Sequence, residues 1–407
     1  MLYFIDSEEY NETRLILWEG HLAMKKIVMF IGGIETTEYF TKQMEKTFIQ
    51  LGHSVFLFQL ENEEEEFTRL CEFIERRNTV MVTFNYHGLN DEKVFYQDGK
   101  LFWEAWEIPC YNIMLDHPFY YHRYLSSMPP LYYNLCIDQG HDRYIERFFP
   151  EIKRGPLLPL AGTEVLHKKI AQRSMDIVMT GHYTPPCKFE KHITRIDEEY
   201  TQFYYRIIHD LIDNPGLGME EAFEKHLKLD MPYISDQDLL LCMEKMIFID
   251  LYVRFYFRGE VVKVLVDHGF KVHVVGSGWE LLECEHPENI IHLGAKDSLG
   301  CLNAIADSKI SLNVMPWFKE GAHDRVFNSM VNGAVCISDE SLWMSNHLRE
   351  GEEIIFYRLN ELNKLPTMVE GLLKDIDKMQ LIADRGYQKA KEEHTWAVRA
   401  EELLKLI

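Results

Sequence analysis

A short polar loop, residues 319–323 (KEGAH), carries side chains suited to anion chemistry, and Arg325 follows it. The loop stands between an apolar run typical of a buried strand, residues 310–314, and a short helix that Asp324 can cap. Ligands of open α/β sheets bind at the carboxyl ends of strands. The start of a helix offers unpaired N–H groups, and Arg325 adds a cation, so we expect a phosphorylated ligand here. The alternative for Arg325 is a surface salt bridge to Asp324 or Glu320.

Polar residues also follow three strands predicted in the first half of the chain, at positions 85–88, 116–117 and 138–141. Because the carboxyl ends of parallel strands meet at one edge of a sheet, these residues are expected to face a common crevice. Asp116 and His117 are the sharpest candidates, since a histidine beside a carboxylate can deprotonate or position a hydroxyl. The competing interpretation is that Pro118 ends the strand and the pair caps the turn.

The elements that must position these residues alternate between strand and helix, which predicts α/β domains with parallel sheets. A segment at residues 157–162 containing proline and glycine is the candidate linker. The predicted domains are 1–160 and 161–389, the second with a helical insertion at about 190–258. Residues 390–407 are expected to form a helix that packs back on the first domain. Two possible strands, 2–5 and 14–18, suggest an edge hairpin.

Composition limits the classes of function. A formal net charge of −22, with no dense basic cluster, argues against a nucleic-acid partner. Eight scattered cysteines without metal-type spacing suggest free thiols in a reducing cytoplasm. No signal peptide is expected at the start, and charged residues interrupt the most apolar helix, residues 239–257, so no membrane span is expected. The pair Gly32 and Gly33 lacks the third glycine of a dinucleotide fingerprint, which disfavours a hydride-transferring oxidoreductase.

Three runs of the second half, residues 276–279 (GSGW), 308–313 (SKISLN) and 325–333 (RVFNSMVNG), resemble the donor-binding domain of GT-B glycosyltransferases. The similarity covers roughly residues 175–400 and is greatest to the group-1 type found in bacterial CgeB-like spore-maturation proteins. It implies two Rossmann-like domains facing across a cleft, with residues 1–160 on the acceptor side and residues 161–389 on the donor side. It also implies a hexosyltransferase (EC 2.4) that moves a sugar from a nucleotide-sugar donor, with UDP preferred, to an acceptor hydroxyl.

In retaining relatives, two glutamates with seven residues between them contact the donor sugar and the ribose. The matching positions here are Glu320 and Asn328, so the second carboxylate has become an amide. The resemblance and the strand ends together give Asp116, His117 and Glu320 as candidate catalytic residues. The candidate donor-binding residues are Gly181, Tyr183, Gly276, Gly278, Trp279, His323, Arg325, Asn328 and Ser329.

The sequence shows no DxD motif beside a strand, so neither a divalent metal nor another cofactor is expected to be required. The expected partners are a nucleotide-sugar donor and an acceptor that can be a glycan, a protein or a small molecule. Two alternatives remain open at this point. One is an isomerase of the UDP-sugar 2-epimerase kind, and the other is a nucleotide-sugar-binding module without catalysis.

Overall fold

The computed structural model describes residues 24–89, 92–97 and 99–407. The hairpin predicted at residues 2–5 and 14–18 lies outside the described residues. Two parallel sheets of six strands, each flanked by helices, form two α/β domains. This architecture matches the expected fold class of two Rossmann-like domains with a helical insertion in the second.

The first sheet has the strand order β2-β1-β3-β4-β5-β6. Its strands are β1 (Lys26–Ile31), β2 (Ser54–Gln59), β3 (Thr79–Phe84), β4 (Cys110–Met114), β5 (Tyr132–Cys136) and β6 (Lys153–Arg154). The helices around it are α1 (Glu35–Gln50), α2 (Glu63–Phe73), α3 (Phe102–Ala105), α4 (His122–Leu125) and α5 (Gln139–Phe148). A small antiparallel hairpin pairs Tyr96–Gln97 with Lys100–Leu101. Every residue of β3 is buried, as its continuous apolar pattern predicts for a central parallel strand.

The second sheet has the order β9-β8-β7-β10-β11-β12. Its strands are β7 (Met175–Thr180), β8 (Val272–Val275), β9 (Ile290–His292), β10 (Ser308–Asn313), β11 (Val335–Asp339) and β12 (Ile355–Tyr357). Between β7 and β8 lie five helices, α6 (Glu190–Ile193), α7 (Glu198–Asp213), α8 (Met219–Asp230), α9 (Asp236–Glu244) and α10 (Ile247–Asp267). The remaining helices are α11 (Ser298–Ala306), α12 (Asp324–Val331), α13 (Leu342–His347), α14 (Leu365–Leu373), α15 (Ile376–Glu393) and α16 (Trp396–Leu404).

The helical insertion joins the two domains. A continuous cluster of buried apolar side chains includes Met81 of the first sheet, Phe223 and Ile249 of the insertion, and Ile177 of the second sheet. The interior of the insertion is therefore shared with both sheets. Helix α10 ends this segment and leads directly into β8.

The last helix crosses back to the first domain. The rings of Trp396 on α16 and Phe40 on α1 lie 4.6 Å apart. Beyond α16, the backbone carbonyl of Leu406 accepts a hydrogen bond from the Tyr111 hydroxyl at 2.8 Å. Within the described ranges, no helix is long and apolar enough to cross a membrane.

Candidate active site

A cleft of about 370 Å³ lies at the carboxyl ends of β7, β8 and β10 and is closed on its other side by the first domain. Its first-domain wall comes from Glu35, Thr36, Tyr39 and Phe40 of α1, with Thr163 just after the linker and Trp396 of α16. Its second-domain wall consists of Thr180, Gly181, His182, Val275, Gly276, Ser277, Ala295, Lys296, Ser298, Cys301, Leu302, Ile305, His323, Asp324, Arg325 and Asn328. The carboxylate of Glu35 accepts the N–H and the hydroxyl of Ser298, each at 2.9 Å, and so links the two walls.

Arg325 lies in the first turn of α12 and is only 8% exposed. Its guanidinium donates to the Thr180 carbonyl at 2.9 Å, to the Asn313 side chain at 3.1 Å and to the Val314 carbonyl at 3.2 Å. These acceptors are uncharged, so they hold the guanidinium in place without forming an ion pair with it. Burial lowers the pKa of Arg325. The alternative of a salt bridge to Asp324 or Glu320 is not found in the structure.

The start of α12 differs from the expected one. The helix begins at Asp324 itself, and the capping residue is His323, whose Nδ1 accepts from the Arg325 N–H at 3.3 Å. The same nitrogen lies 2.5 Å from the Asp324 carboxylate, so the two neighbours compete for it: Nδ1 accepts from the Arg325 N–H only when unprotonated and donates to the carboxylate only when protonated. Burial and Arg325 lower the pKa of His323, whereas Asp324 raises it, and the net effect is a lowering. His323 therefore lines the cleft with an imidazole whose charge is set by these opposing neighbours.

Arg258 of α10 is a further cation, buried next to the cleft beside Gly181, that the sequence did not point to. Its Nη1 donates to the His182 carbonyl at 2.7 Å, but its buried Nε has no hydrogen-bond partner in the described part of the chain. A Cβ atom on Gly181 would lie 3.0 Å from Nη1 of Arg325 and 3.7 Å from Nη1 of Arg258. The two guanidinium groups therefore converge where residue 181 has no side chain.

The positive charges of several arginine side chains lie close together beside Gly181. Burial lowers the pKa of Arg258 well below its ordinary value, and Arg325 and Arg254 lower it further. Arg254 lies one turn earlier on α10, stacks on Trp317 at 4.1 Å and pairs with Asp250 at 2.8 Å. Within the described ranges neither Arg258 nor Arg325 has such a carboxylate partner. The Asp324 and Asp339 carboxylates raise the pKa of Arg325 against the effect of burial, whereas the charges that act on Arg258 are the like charges of Arg325 and Arg254. A buried guanidinium without a bonded carboxylate indicates an anion-binding site.

The glycine turns serve chiefly to bring two loops together. Gly276 has φ +132, and a Cβ there would lie 2.5 Å from the Gly181 carbonyl oxygen. At Gly278, with φ +85, a Cβ would lie 2.0 Å from the Tyr183 carbonyl oxygen. Trp279 is fully buried and donates its indole N–H to the Gly181 carbonyl at 2.8 Å. Gly181 and Gly276 thus line the cleft, whereas Tyr183, Gly278 and Trp279 are not part of its lining and hold the two loops together.

Asn328 lines the cleft with both ends of its amide in use. It accepts from the Thr163 N–H at 2.9 Å and donates to the Asp324 carboxylate at 2.9 Å. A glutamate at this position could not donate to Asp324 and would add a second negative charge, which explains the amide. Ser329 is fully buried and donates to the Arg325 carbonyl at 2.6 Å, so it holds α12 and does not face the cleft.

Glu320 does not line the cleft. Its two carboxylate oxygens accept a fork of hydrogen bonds from Arg143 of α5, at 2.6 and 2.7 Å. The expected contact with a donor sugar therefore requires the sugar to extend toward the first domain. That role stays a prediction.

The side chains of Asp116 and His117 point to different partners in the structure. Asp116 accepts from Asn85 at 3.2 Å and from the Tyr121 hydroxyl at 3.1 Å. His117 is 5% exposed, with Nδ1 accepting from the backbone of Phe119 and Nε2 lying 3.2 Å from the Glu220 carboxylate of α8. The two side chains have no common target, and His117 faces the insertion instead of the cleft. A catalytic role for either residue stays a prediction.

Comparison with known proteins places this geometry in context. Residues 258–405 match the sequence model of a family described as Glycosyl transferase-like. A comparison with curated proteins finds no match. The structure is similar to an alpha-glucosyltransferase in complex with UDP-glucose and DNA containing an abasic site, with a TM-score of 0.53 and 11% identity over 94% of this chain and 99% of that one.

Two further solved structures are similar. Sucrose-phosphate synthase from Thermosynechococcus elongatus has a TM-score of 0.52 and 9% identity, over 94% of this chain and 98% of that one. TarM has a TM-score of 0.47 and 10% identity, and 84% of this chain spans 57% of its length. Likeness at this level of identity establishes the fold, which is GT-B. The narrower resemblance to CgeB-like proteins stays a prediction.

Proposed function

We propose that this protein is a glycosyltransferase that takes a sugar from a nucleotide-sugar donor, with UDP as the nucleotide, and passes it to an acceptor hydroxyl. The family match over residues 258–405 and the GT-B fold support this class of reaction. The solved glucosyltransferase with UDP-glucose supports the choice of UDP. The position of the cleft at the carboxyl ends of β7, β8 and β10 is where such a fold binds ligands.

The observation that carries the proposal is the pair Arg258 and Arg325. Transfer from a nucleotide sugar breaks the bond between the sugar and a diphosphate, so negative charge grows on the leaving oxygen. Two buried guanidinium groups without carboxylate partners can stabilise that charge, and the N–H groups at the start of α12 add to it. Because these cations belong to the protein, we propose that transfer needs no divalent metal. Activity unchanged by a chelator is the expected result.

The experiment that tests the proposal is calorimetric titration of UDP into Arg325→Ala. Loss of a hydrogen bond to a charged group is expected to weaken binding by about 1.5–3 kcal/mol. Lys309→Ala is the matched control, because Lys309 is a cation of the same domain that pairs with Asp176 outside the cleft. Unchanged UDP affinity in a folded Arg325→Ala variant contradicts the assignment. A thermal-shift panel of UDP, GDP, dTDP and NAD then identifies the preferred nucleotide, since a ligand at 100 times its Kd adds about 2.7 kcal/mol.

Glu320 is assigned to the donor sugar. Glu320→Gln is expected to lower turnover of UDP-glucose while UDP binding stays close to that of the wild type, because the diphosphate contacts lie elsewhere in the cleft. A large loss of UDP affinity in this variant would place Glu320 beside the phosphates instead.

Asp116 and His117 are assigned to the acceptor side. A general base contributes about 10²–10⁴-fold to a rate. His117→Ala should lower turnover by that factor with unchanged UDP affinity if the residue acts on the acceptor. Removal of His117 also leaves Glu220 without its partner, so stability is measured in parallel. Wild-type turnover in both His117→Ala and Asp116→Asn returns the pair to a structural role.

A further inference from the structure

The loop that carries Glu320 is bound to the first domain by backbone hydrogen bonds. The Glu320 N–H donates to the Asp138 carboxylate at 2.8 Å, and the Gln139 N–H donates to the Glu320 carbonyl at 3.1 Å. Asp138 and Gly321 form an antiparallel β-bridge. The loop that follows β10 of the second sheet is thus held, at Glu320, by the residues that follow β5 of the first sheet.

The Asp138 carboxylate accepts a hydrogen bond from each of the two domains. Its second oxygen accepts from the Gly140 N–H at 2.7 Å and so caps α5. The residue is 1% exposed, and burial raises its pKa to about 6. Gly321 permits the close approach, since a Cβ there would lie 2.5 Å from the Ile137 carbonyl oxygen. The bridge therefore depends on a buried carboxylate and on a residue without a side chain.

Arg143 adds a side-chain contact one turn along α5 from the cap. It binds both carboxylate oxygens of Glu320, and its side chain is 53% exposed. An ion pair this exposed contributes little to stability. Its geometric effect is larger, because a planar fork fixes the orientation of the carboxylate. Each oxygen keeps a further lone pair that can accept a sugar hydroxyl.

We propose that Asp138 and Arg143 are positioning residues of the transfer reaction: they hold Glu320 in its working orientation, so the donor-side loop is complete only against the first domain. This inference rests on the proposed function, because it takes the donor sugar as the group that Glu320 contacts. Neither residue touches the diphosphate cleft, so their effect is on turnover and not on nucleotide affinity.

The first test is Arg143→Gln, with hydrolysis of UDP-glucose at saturating concentration as the readout. A loss of orientation by about 1 Å can lower a rate about 10²-fold, so kcat is expected to fall by that order while the Kd for UDP is unchanged. Arg147→Gln is the matched control. Arg147 lies one turn further on α5 and makes the same kind of fork, but with Glu224 of the insertion. Wild-type kcat in Arg143→Gln, or an equal loss in the control, overturns the proposal.

The second test does not depend on turnover. Asp138→Asn keeps one oxygen to cap α5 but turns an amide N–H toward the Glu320 N–H, so the side-chain bond to Glu320 is lost and the backbone bridge is weakened while the helix is preserved. Amide hydrogen exchange at residues 319–322 is expected to become at least about tenfold faster in Asp138→Asn, and to stay close to that of the wild type in Arg143→Gln and Arg147→Gln, because an exposed ion pair adds little to local stability. Unchanged exchange in Asp138→Asn overturns the positioning role of Asp138. If the wild type hydrolyses no UDP-sugar, the proposed function fails, and faster exchange still supports the bridge.

Discussion

Replacement of Arg258 by methionine is expected to change nucleotide binding and stability in opposite directions. Methionine keeps the length of the aliphatic stem and removes the charge. In the absence of ligand, Arg258 has one neutral acceptor, the His182 carbonyl, and a buried Nε without a partner. Its nearest like charges are Arg325 and Arg254.

The expected changes in the free energy of unfolding and in UDP affinity follow from these contacts. Loss of the bond to His182 costs about 1.5–3 kcal/mol, because one partner is charged. Removal of an unneutralised buried cation gains several kcal/mol, so the free energy of unfolding of the apo protein should rise by about 1–3 kcal/mol. The UDP affinity should fall about 10- to 150-fold, which corresponds to about 1.5–3 kcal/mol. Chemical denaturation and calorimetric titration measure the two effects.

Arg254→Met on the same helix is the contrasting variant. Arg254 pairs with Asp250, whose carboxylate also accepts from Tyr120 at 2.5 Å. Its removal leaves a buried carboxylate without its cation, so this variant should lose about 3–5 kcal/mol of stability. If Arg258→Met is destabilised as much as Arg254→Met and binds UDP like the wild type, the interpretation of Arg258 as an anion ligand is refuted.

Three further predictions concern the same cleft. Partial burial lowers the pKa of His182, and nearby arginines lower it further, so the negative charge of a bound diphosphate should raise it. UDP binding should therefore take up protons and become tighter as the pH falls. Calorimetric titrations in buffers of different ionisation enthalpy detect this proton uptake. Gly276→Ala forces a Cβ within 2.5 Å of the Gly181 carbonyl at a φ of +132, so the melting temperature should fall, with a stability loss of more than about 1 kcal/mol. Asn328→Glu places a second carboxylate beside Asp324, and the two negative charges should repel each other. The melting temperature of this variant should therefore rise, relative to that of the wild type, as the pH is lowered toward the range in which carboxyl groups are protonated. A difference in melting temperature that does not depend on pH contradicts the repulsion.

Much of the sheet framework could be predicted from the chain. The strands Lys26–Ile31 and Thr79–Phe84 can be predicted from the sequence because their apolar runs have sharp polar borders. The same holds for helix α7, since Asp197 provides a side-chain cap that marks its start. Strand β12 was not predicted, because three residues are too few for a periodic pattern. The apolar segment 239–257, which the sequence indicates is one helix, is interrupted at Lys245, where no proline or glycine signals the break.

The candidate site was only half predictable. Arg325 and the cleft-lining glycines follow from the strand-loop-helix pattern. Arg258 was missed because α10 was judged only as a possible membrane span, although the spacing of Asp250, Arg254 and Arg258 places three charges on one face of an apolar helix. Asp116 and His117 were paired because they are adjacent in sequence. Successive residues of extended backbone point to opposite sides, and His117 has φ −61 and ψ 140, so adjacency predicts divergence.

The position of β7 affects how the second domain can assemble. This strand lies between β8 and β10 in the sheet, yet the whole helical insertion separates it in sequence from β8. Residues 258–405, the part that matches the family, begin within α10 and lack β7. A fragment cut at these limits would hold a two-stranded piece, β9-β8, and a three-stranded piece, β10-β11-β12, with no strand between them. Pairing of β7 must also wait for closure of a long segment, which favours slow folding of this domain.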